Sequence, residues 1–60
     1  MTLKERRLAA GLRQVDVAKL LEVDQAAVSK WESGETKPVR KYRAKLARLY
    51  KCSEAEIMEG

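Results

Sequence analysis

Gln25, Ala26, Ser29 and Lys30 recur at helical spacing in the segment Asp24-Gln-Ala-Ala-Val-Ser-Lys-Trp-Glu-Ser-Gly34. On a helix, Val28 and Trp31 lie three apart and share one face, while Gln25, Ala26, Ser29, Lys30 and Ser33 fall on the other. That outer face carries amide, hydroxyl, ammonium and methyl groups and no bulky apolar side chain. The edges of DNA bases match such a set. A Gln amide can grip adenine, a Lys can reach guanine, and an Ala methyl can touch the thymine methyl. A solvated helix surface has the same composition. The segment by itself leaves both readings open.

The elements that would position this face are legible on either side of it. Residues 14–21 read as a short helix with Val17, Ala18 and Leu21 on one side. Glu22-Val23-Asp24 forms a tight turn with Val23 pointing inward, and a second helix runs over 25–33. Asp24 is suited to the N-cap, where a carboxylate can accept a hydrogen bond from a free backbone N–H. Gly34 suits the left-handed stop. Ala18 is small where the two helices cross, which permits close approach. Gln14 opens the first helix, and helix N-termini attract anions such as phosphate.

The stretch Gln14–Gly34 resembles the helix-turn-helix of the phage-repressor-like (XRE, lambda-repressor-like) family of bacterial and phage transcription regulators. The likeness rests on Gln14, Ala18, Leu20-Leu21-x-Val23 and Val28-Ser-Lys-Trp31-Glu32-Ser-Gly34 followed by Lys37-Pro38. Gly11-Leu12-x-Gln14, Ala47-x-Leu49-Tyr50 and Ser53-x-x-x-Ile57 extend it over nearly the whole chain. It implies an all-α, compact five-helix bundle with the helix-turn-helix at helices 2 and 3. It implies sequence-specific binding of double-stranded DNA, most often by a repressor, with Gln25, Ala26, Ser29 and Lys30 reading bases in the major groove. Phosphate contacts are expected from Gln14, Lys37 and Arg40, with Thr36 and Lys41 as weaker donors. The likeness further implies that Gln14 braces Gln25, and that Arg7 pairs with Glu32.

Two residues depart from the family. Arg13 stands where Ser or Thr usually caps the helix, and the lost cap costs about 1 kcal/mol. Its position beside the end expected to face phosphate makes it a further phosphate candidate. Glu22 stands where Gly is usual and where the backbone often takes positive φ, at a cost of about 1 kcal/mol or more. The loop before the fourth helix also departs from the commonest spacing.

Sixty residues form one small domain. A chain of this length buries only about 60% of its unfolded surface, so its stability is expected to be marginal. Net charge is +4, which favours polyanionic partners. The distribution is more telling than the sum. Lys37, Arg40, Lys41, Arg43, Lys45, Arg48 and Lys51 share a stretch without an acid, whereas Glu54, Glu56 and Glu59 close the chain without a base. Cys52 is the one cysteine and there is no histidine, which excludes the usual disulfide and zinc patterns. No metal and no cofactor is expected. Lacking a paired-carboxylate cleft or a phosphate-binding glycine loop, the chain is not expected to be an enzyme. There is no apolar run long enough for a membrane span and no signal peptide, so a reducing cytoplasm is the expected setting.

The remaining helices follow from caps and periodicity. Thr2 with Glu5 caps a helix over 3–10, with Leu3, Leu8 and Leu12 as apolar contacts and Gly11 as the stop. Glu35 to Val39 reads as a loop broken by Pro38. A fourth helix covers 39–50, with Tyr42, Leu46, Leu49 and Tyr50 as its buried stripe, flanked by Ala44 and Ala47. Ser53 with Glu56 caps a fifth helix over 54–59, where Ile57 and Met58 close the core beside Cys52. Trp31 belongs to the core by its spacing from Val28. A domain this small binds tightly as two copies on half-sites about 34 Å apart, so a palindromic operator and a weak or DNA-induced homodimer are expected. The alternative from another class is a protein-interaction module, antitoxin-like or partner-binding, meeting its partner through Glu54, Glu56, Glu59 and Met58.

Overall fold

Thr2 and Glu5 open the first helix by exchanging hydrogen bonds. The Thr2 N–H donates to Glu5 Oε1 at 2.8 Å, and the Glu5 N–H donates to Thr2 Oγ1 at 3.1 Å. The structure, a computed structural model, describes residues 1–59. Five helices follow in order: α1 (Leu3–Ala9), α2 (Gln14–Leu21), α3 (Gln25–Ser33), α4 (Arg40–Tyr50) and α5 (Glu54–Glu59). Among the described residues there is no strand.

The helix bounds differ from the periodicity at two ends. Ala10 caps α1 instead of extending it, because Gly11 turns left-handed at φ 74°. Val39 is the N-cap of α4 rather than its first turn, with extended backbone at φ −68°, ψ 164°. It follows Pro38, which is fully buried and pins the loop against the core. Ser53 and Glu56 repeat at α5 the reciprocal cap seen at α1, at 3.0 and 3.1 Å.

The core is built from Leu3, Val17, Ala18, Leu21, Val28, Trp31, Leu46, Ala47 and Ile57. The Trp31 ring is buried and meets Tyr42 at a centroid distance of 5.6 Å, tilted by 39°. Such a tilted aromatic contact adds to the area term. Four residues expected in the core lie further out. Leu8 is exposed, since α1 turns it outward while Leu3 and Arg7 face in. On α4 the deepest residues are Leu46 and Ala47, with Tyr42, Leu49 and Tyr50 only half-buried. These three larger side chains cover the rim of the core, and small Ala47 sits where helices approach.

Two tight turns use left-handed residues other than glycine. Glu22 ends α2 at φ 59°, ψ 45°, and Lys51 ends α4 at φ 55°, ψ 50°. In each the next N–H reaches back to the helix: Val23 to the Ala18 carbonyl and Cys52 to the Ala47 carbonyl, both at 2.9 Å. Val23 and Cys52 then pack against the core. Gly34 closes α3 at φ 83°.

Candidate nucleic-acid interface

The helices α2 and α3 pack through Val17, Ala18, Leu21, Val28 and Trp31. With Val28 and Trp31 committed to the core, helical geometry turns Gln25, Ala26, Ser29 and Lys30 to the opposite side, and all four are exposed. They are two polar side chains with directional hydrogen-bonding groups, one cation and one methyl on a single face. Ser33 turns back, its hydroxyl donating to the Lys30 carbonyl at 3.1 Å.

A continuous chain of hydrogen bonds supports this face from below. Arg7 Nε donates to Glu32 Oε2 at 2.6 Å and its second guanidinium nitrogen to Oε1 at 3.3 Å. The remaining nitrogen donates to the Leu12 carbonyl at 2.9 Å, which ties the α1–α2 turn to the same group. Gln14 Nε2 donates to Glu32 Oε1 at 3.0 Å. Gln25 Nε2 in turn donates to Gln14 Oε1 at 3.3 Å. Both charged side chains are buried, with 9% and 8% of their areas exposed. The Glu32 hydrogen bond pushes the Arg7 pKa further up. A buried pair is favourable only when its remaining polar atoms are satisfied; here Leu12 and Gln14 take part of that load. The link from Glu32 to Gln14 had no signal in the sequence, because the two are 18 positions apart on different helices.

The basic residues around this face are differently placed. Arg13 folds over the start of α2, its Nε and terminal nitrogen each 3.0 Å from an oxygen of Asp16. The same carboxylate accepts the Arg13 N–H at 2.9 Å. Asp16 thus supplies half of the cap that an Arg cannot give, a compensation hinted at only by its place three residues later. The Arg13 hydrogen bonds hold the Asp16 carboxyl down at about 2. Asp24 occupies the N-cap of α3, but its carboxylate makes no capping bond. The backbone does that work, the Ala27 N–H reaching the Asp24 carbonyl at 3.0 Å.

Thr36 and Arg40 are exposed on the α3–α4 side, Arg40 as the first residue of α4. Lys37 Nζ donates to the Met58 carbonyl at 3.3 Å and so leans towards α5. Lys41 Nζ lies 5.6 Å from the centroid of the Tyr42 ring. Arg6, which sequence reasoning left without a role, joins α1 to α5 through Glu56 at 3.0 Å. No helix among the described residues is long and apolar enough to cross a membrane.

An all-helical bundle with two short helices crossed at a tight turn, the second baring a polar face, defines a helix-turn-helix domain. The helix-turn-helix family model matches residues 3–57, and the chain belongs to that XRE, lambda-repressor-like family of DNA-binding regulators. No curated protein and no solved structure gives a significant match.

Proposed function

We propose that the domain binds a specific double-stranded DNA sequence as part of a transcription repressor, with α3 lying in the major groove. The observation that carries this reading is the exposed Gln25, Ala26, Ser29 and Lys30 set on a helix anchored by Val28 and Trp31. Gln25 and Lys30 carry most of the base choice, since each good bidentate contact discriminates by about 1–3 kcal/mol. Gln14, Thr36 and Arg40 fix the register on phosphates. Arg13, Lys37 and Lys41 add charge, but each gives up an intramolecular partner to reach a phosphate. Two copies bind a palindromic operator, paired weakly or only on DNA. The test is selection of bound duplexes from a random pool. An enriched, two-fold symmetric site supports the reading; recovery of unenriched sequence contradicts it.

A different surface favours the second reading, a protein-interaction module. Leu20, Leu21, Ala44 and Leu49 line an open groove of about 600 Å³ between α2 and α4, rimmed by Lys41, Lys45 and Arg48. Leu20 is 56% exposed there. Binding to random duplex DNA at low salt separates the two: its absence leaves the interaction reading.

A further inference from the structure

We propose that the buried Arg7–Glu32 pair sets the amide polarity of the reading helix. In this role Glu32 is a positioning residue for base choice: through Gln14 it makes Gln25 present its donor and acceptor in one order, the order that selects adenine. The inference rests on the DNA-binding reading above and deepens it.

The argument is one of donors and acceptors. A guanidinium only donates and a carboxylate only accepts. Glu32 already takes Arg7 on both oxygens, and its Oε1 faces the Gln14 amide at 3.0 Å. Only the nitrogen end of that amide can face a carboxylate. The Gln14 oxygen must therefore point the other way, towards Gln25. There it meets a group at 3.3 Å that must again be a nitrogen. A charge pair buried under the interface thus dictates, two side chains away, which end of an exposed amide lies where.

The consequence falls on Gln25. Its amide nitrogen has two hydrogens. One is given to Gln14. The other lies alongside the amide oxygen, and this pair forms an intact donor–acceptor edge. Adenine shows N7, an acceptor, beside N6, a donor, and matches that edge; guanine shows two acceptors. Were Gln14 free to turn over, Gln25 could turn with it. Donor and acceptor would then exchange places against the same base. The Glu32 side chain is only 8% exposed, so it acts through Gln14 and not by touching DNA.

The variants are Glu32→Gln and Gln14→Met. In Glu32→Gln the new amide keeps its oxygen on Arg7 Nε, gives up the 3.3 Å bond to the second guanidinium nitrogen, turns its nitrogen to Gln14 and inverts the chain. Gln14→Met leaves the buried pair intact and guards against loss of fold in the first variant. Two readouts are needed. The first is through-hydrogen-bond NMR coupling between the Gln14 side-chain nitrogen and the Glu32 carboxyl carbon in the free protein. The second is discrimination among the four base pairs at the operator position where Gln25→Ala loses choice, with affinity for random duplex alongside. The expected result is the coupling in the parent protein and an adenine preference there of about tenfold. That preference disappears in both folded variants, while Glu32→Gln keeps its affinity for random duplex. Coupling present but preference intact in the variants overturns the inference and leaves the DNA-binding reading standing. Missing coupling also overturns it. No duplex binding by the parent protein defeats the reading itself, and the inference with it.

Discussion

Arg7 Nε stands 2.6 Å from Glu32 Oε2, across 25 positions of sequence. The contact joins the first helix to the end of the third at a point largely shielded from water. Removing one member of such a pair strands the other charge, which typically costs about 3–5 kcal/mol. A domain of this size holds only several kcal/mol in total, about 0.05–0.15 kcal/mol per residue. Arg7→Ala is therefore expected to lower the melting temperature by ten degrees or more, at about 4–8 °C per kcal/mol, or to unfold the chain. The double replacement Arg7→Met with Glu32→Leu should be less damaging than either single change, because no charge is left behind. Circular dichroism melts measure all three, and an Arg7→Ala variant as stable as the parent contradicts a structural role for the pair.

The exposed face of α3 and the start of α4 are expected to have separable effects on DNA binding. Lys30→Ala is expected to relax choice at one base pair, with a loss of about 1–3 kcal/mol on the preferred site and little on random duplex. Arg40→Ala should weaken every duplex alike and reduce the slope of log affinity against log salt by about 0.9. Titrations at several salt concentrations on preferred and random duplexes distinguish the two. Equal losses from both variants on all sequences reject the assignment of roles.

Glu22 is held at φ 59°, a conformation in which a side chain is strained. Glu22→Gly removes that strain, about 1 kcal/mol, against a loss of chain entropy in the unfolded state. The net expectation is a modest gain in stability with the fold unchanged. Lys51, at φ 55°, is a second site for the same exchange. Urea melts are the measurement, and a clear loss of stability in Glu22→Gly shows that the turn is better served by its side chain than by backbone freedom.

Most of this architecture was legible because local signals agree. The reciprocal caps at Thr2 with Glu5 and Ser53 with Glu56 lie three residues apart and need no tertiary knowledge. Val28 and Trp31 announce the buried side of α3 by spacing alone, and this fixes its outer face. What escaped depends on distance in sequence or on competition between partners. The Glu32 contact to Gln14 and the Lys37 contact to Met58 require the fold first. Leu8 looks like a core residue by type, yet α1 commits Leu3 and Arg7 to the interior and turns Leu8 to solvent. Pro38 reads as a loop breaker, and only the packed structure shows it filling the core edge.

Acid should destabilise the domain over a defined window. Asp16 is held at about 2 by the Arg13 hydrogen bonds, against an ordinary value of 3.8. Glu5 and Glu56 are also lowered, chiefly by the backbone N–H groups of Thr2 and Ser53. A carboxyl with a depressed folded-state pKa stabilises the fold above its unfolded value and loses that contribution as pH falls through the folded one. Stability is thus expected to fall below about pH 4 and to go on falling to about pH 2. At the basic end, burial pushes Tyr50 up to about 12 from 10.0. Its raised value means that the unfolded chain ionises first, so stability should fall again above pH 10. Denaturant midpoints across pH test both arms, and Asp16→Asn should flatten the acid arm.

Arg13 bears on both stability and binding, and one substitution measures both. Its side chain is 78% exposed, and Asp16 holds it in a two-bond fork. Exposed pairs of this kind are worth at most about 1 kcal/mol. Arg13→Ser gives up that pair but supplies a hydroxyl that can accept a free N–H at the start of α2, a gain of about 1 kcal/mol. Asp16 can still accept the backbone N–H of residue 13, so the reciprocal cap becomes complete. The stability change is therefore expected to be close to zero. The DNA measurement is what decides the role. If Arg13 leaves Asp16 for a phosphate on binding, the variant loses about 0.9 in salt slope and affinity falls on all duplexes alike. If Arg13 stays on Asp16, the slope is unchanged, and phosphate contacts fall to Gln14, Thr36 and Arg40.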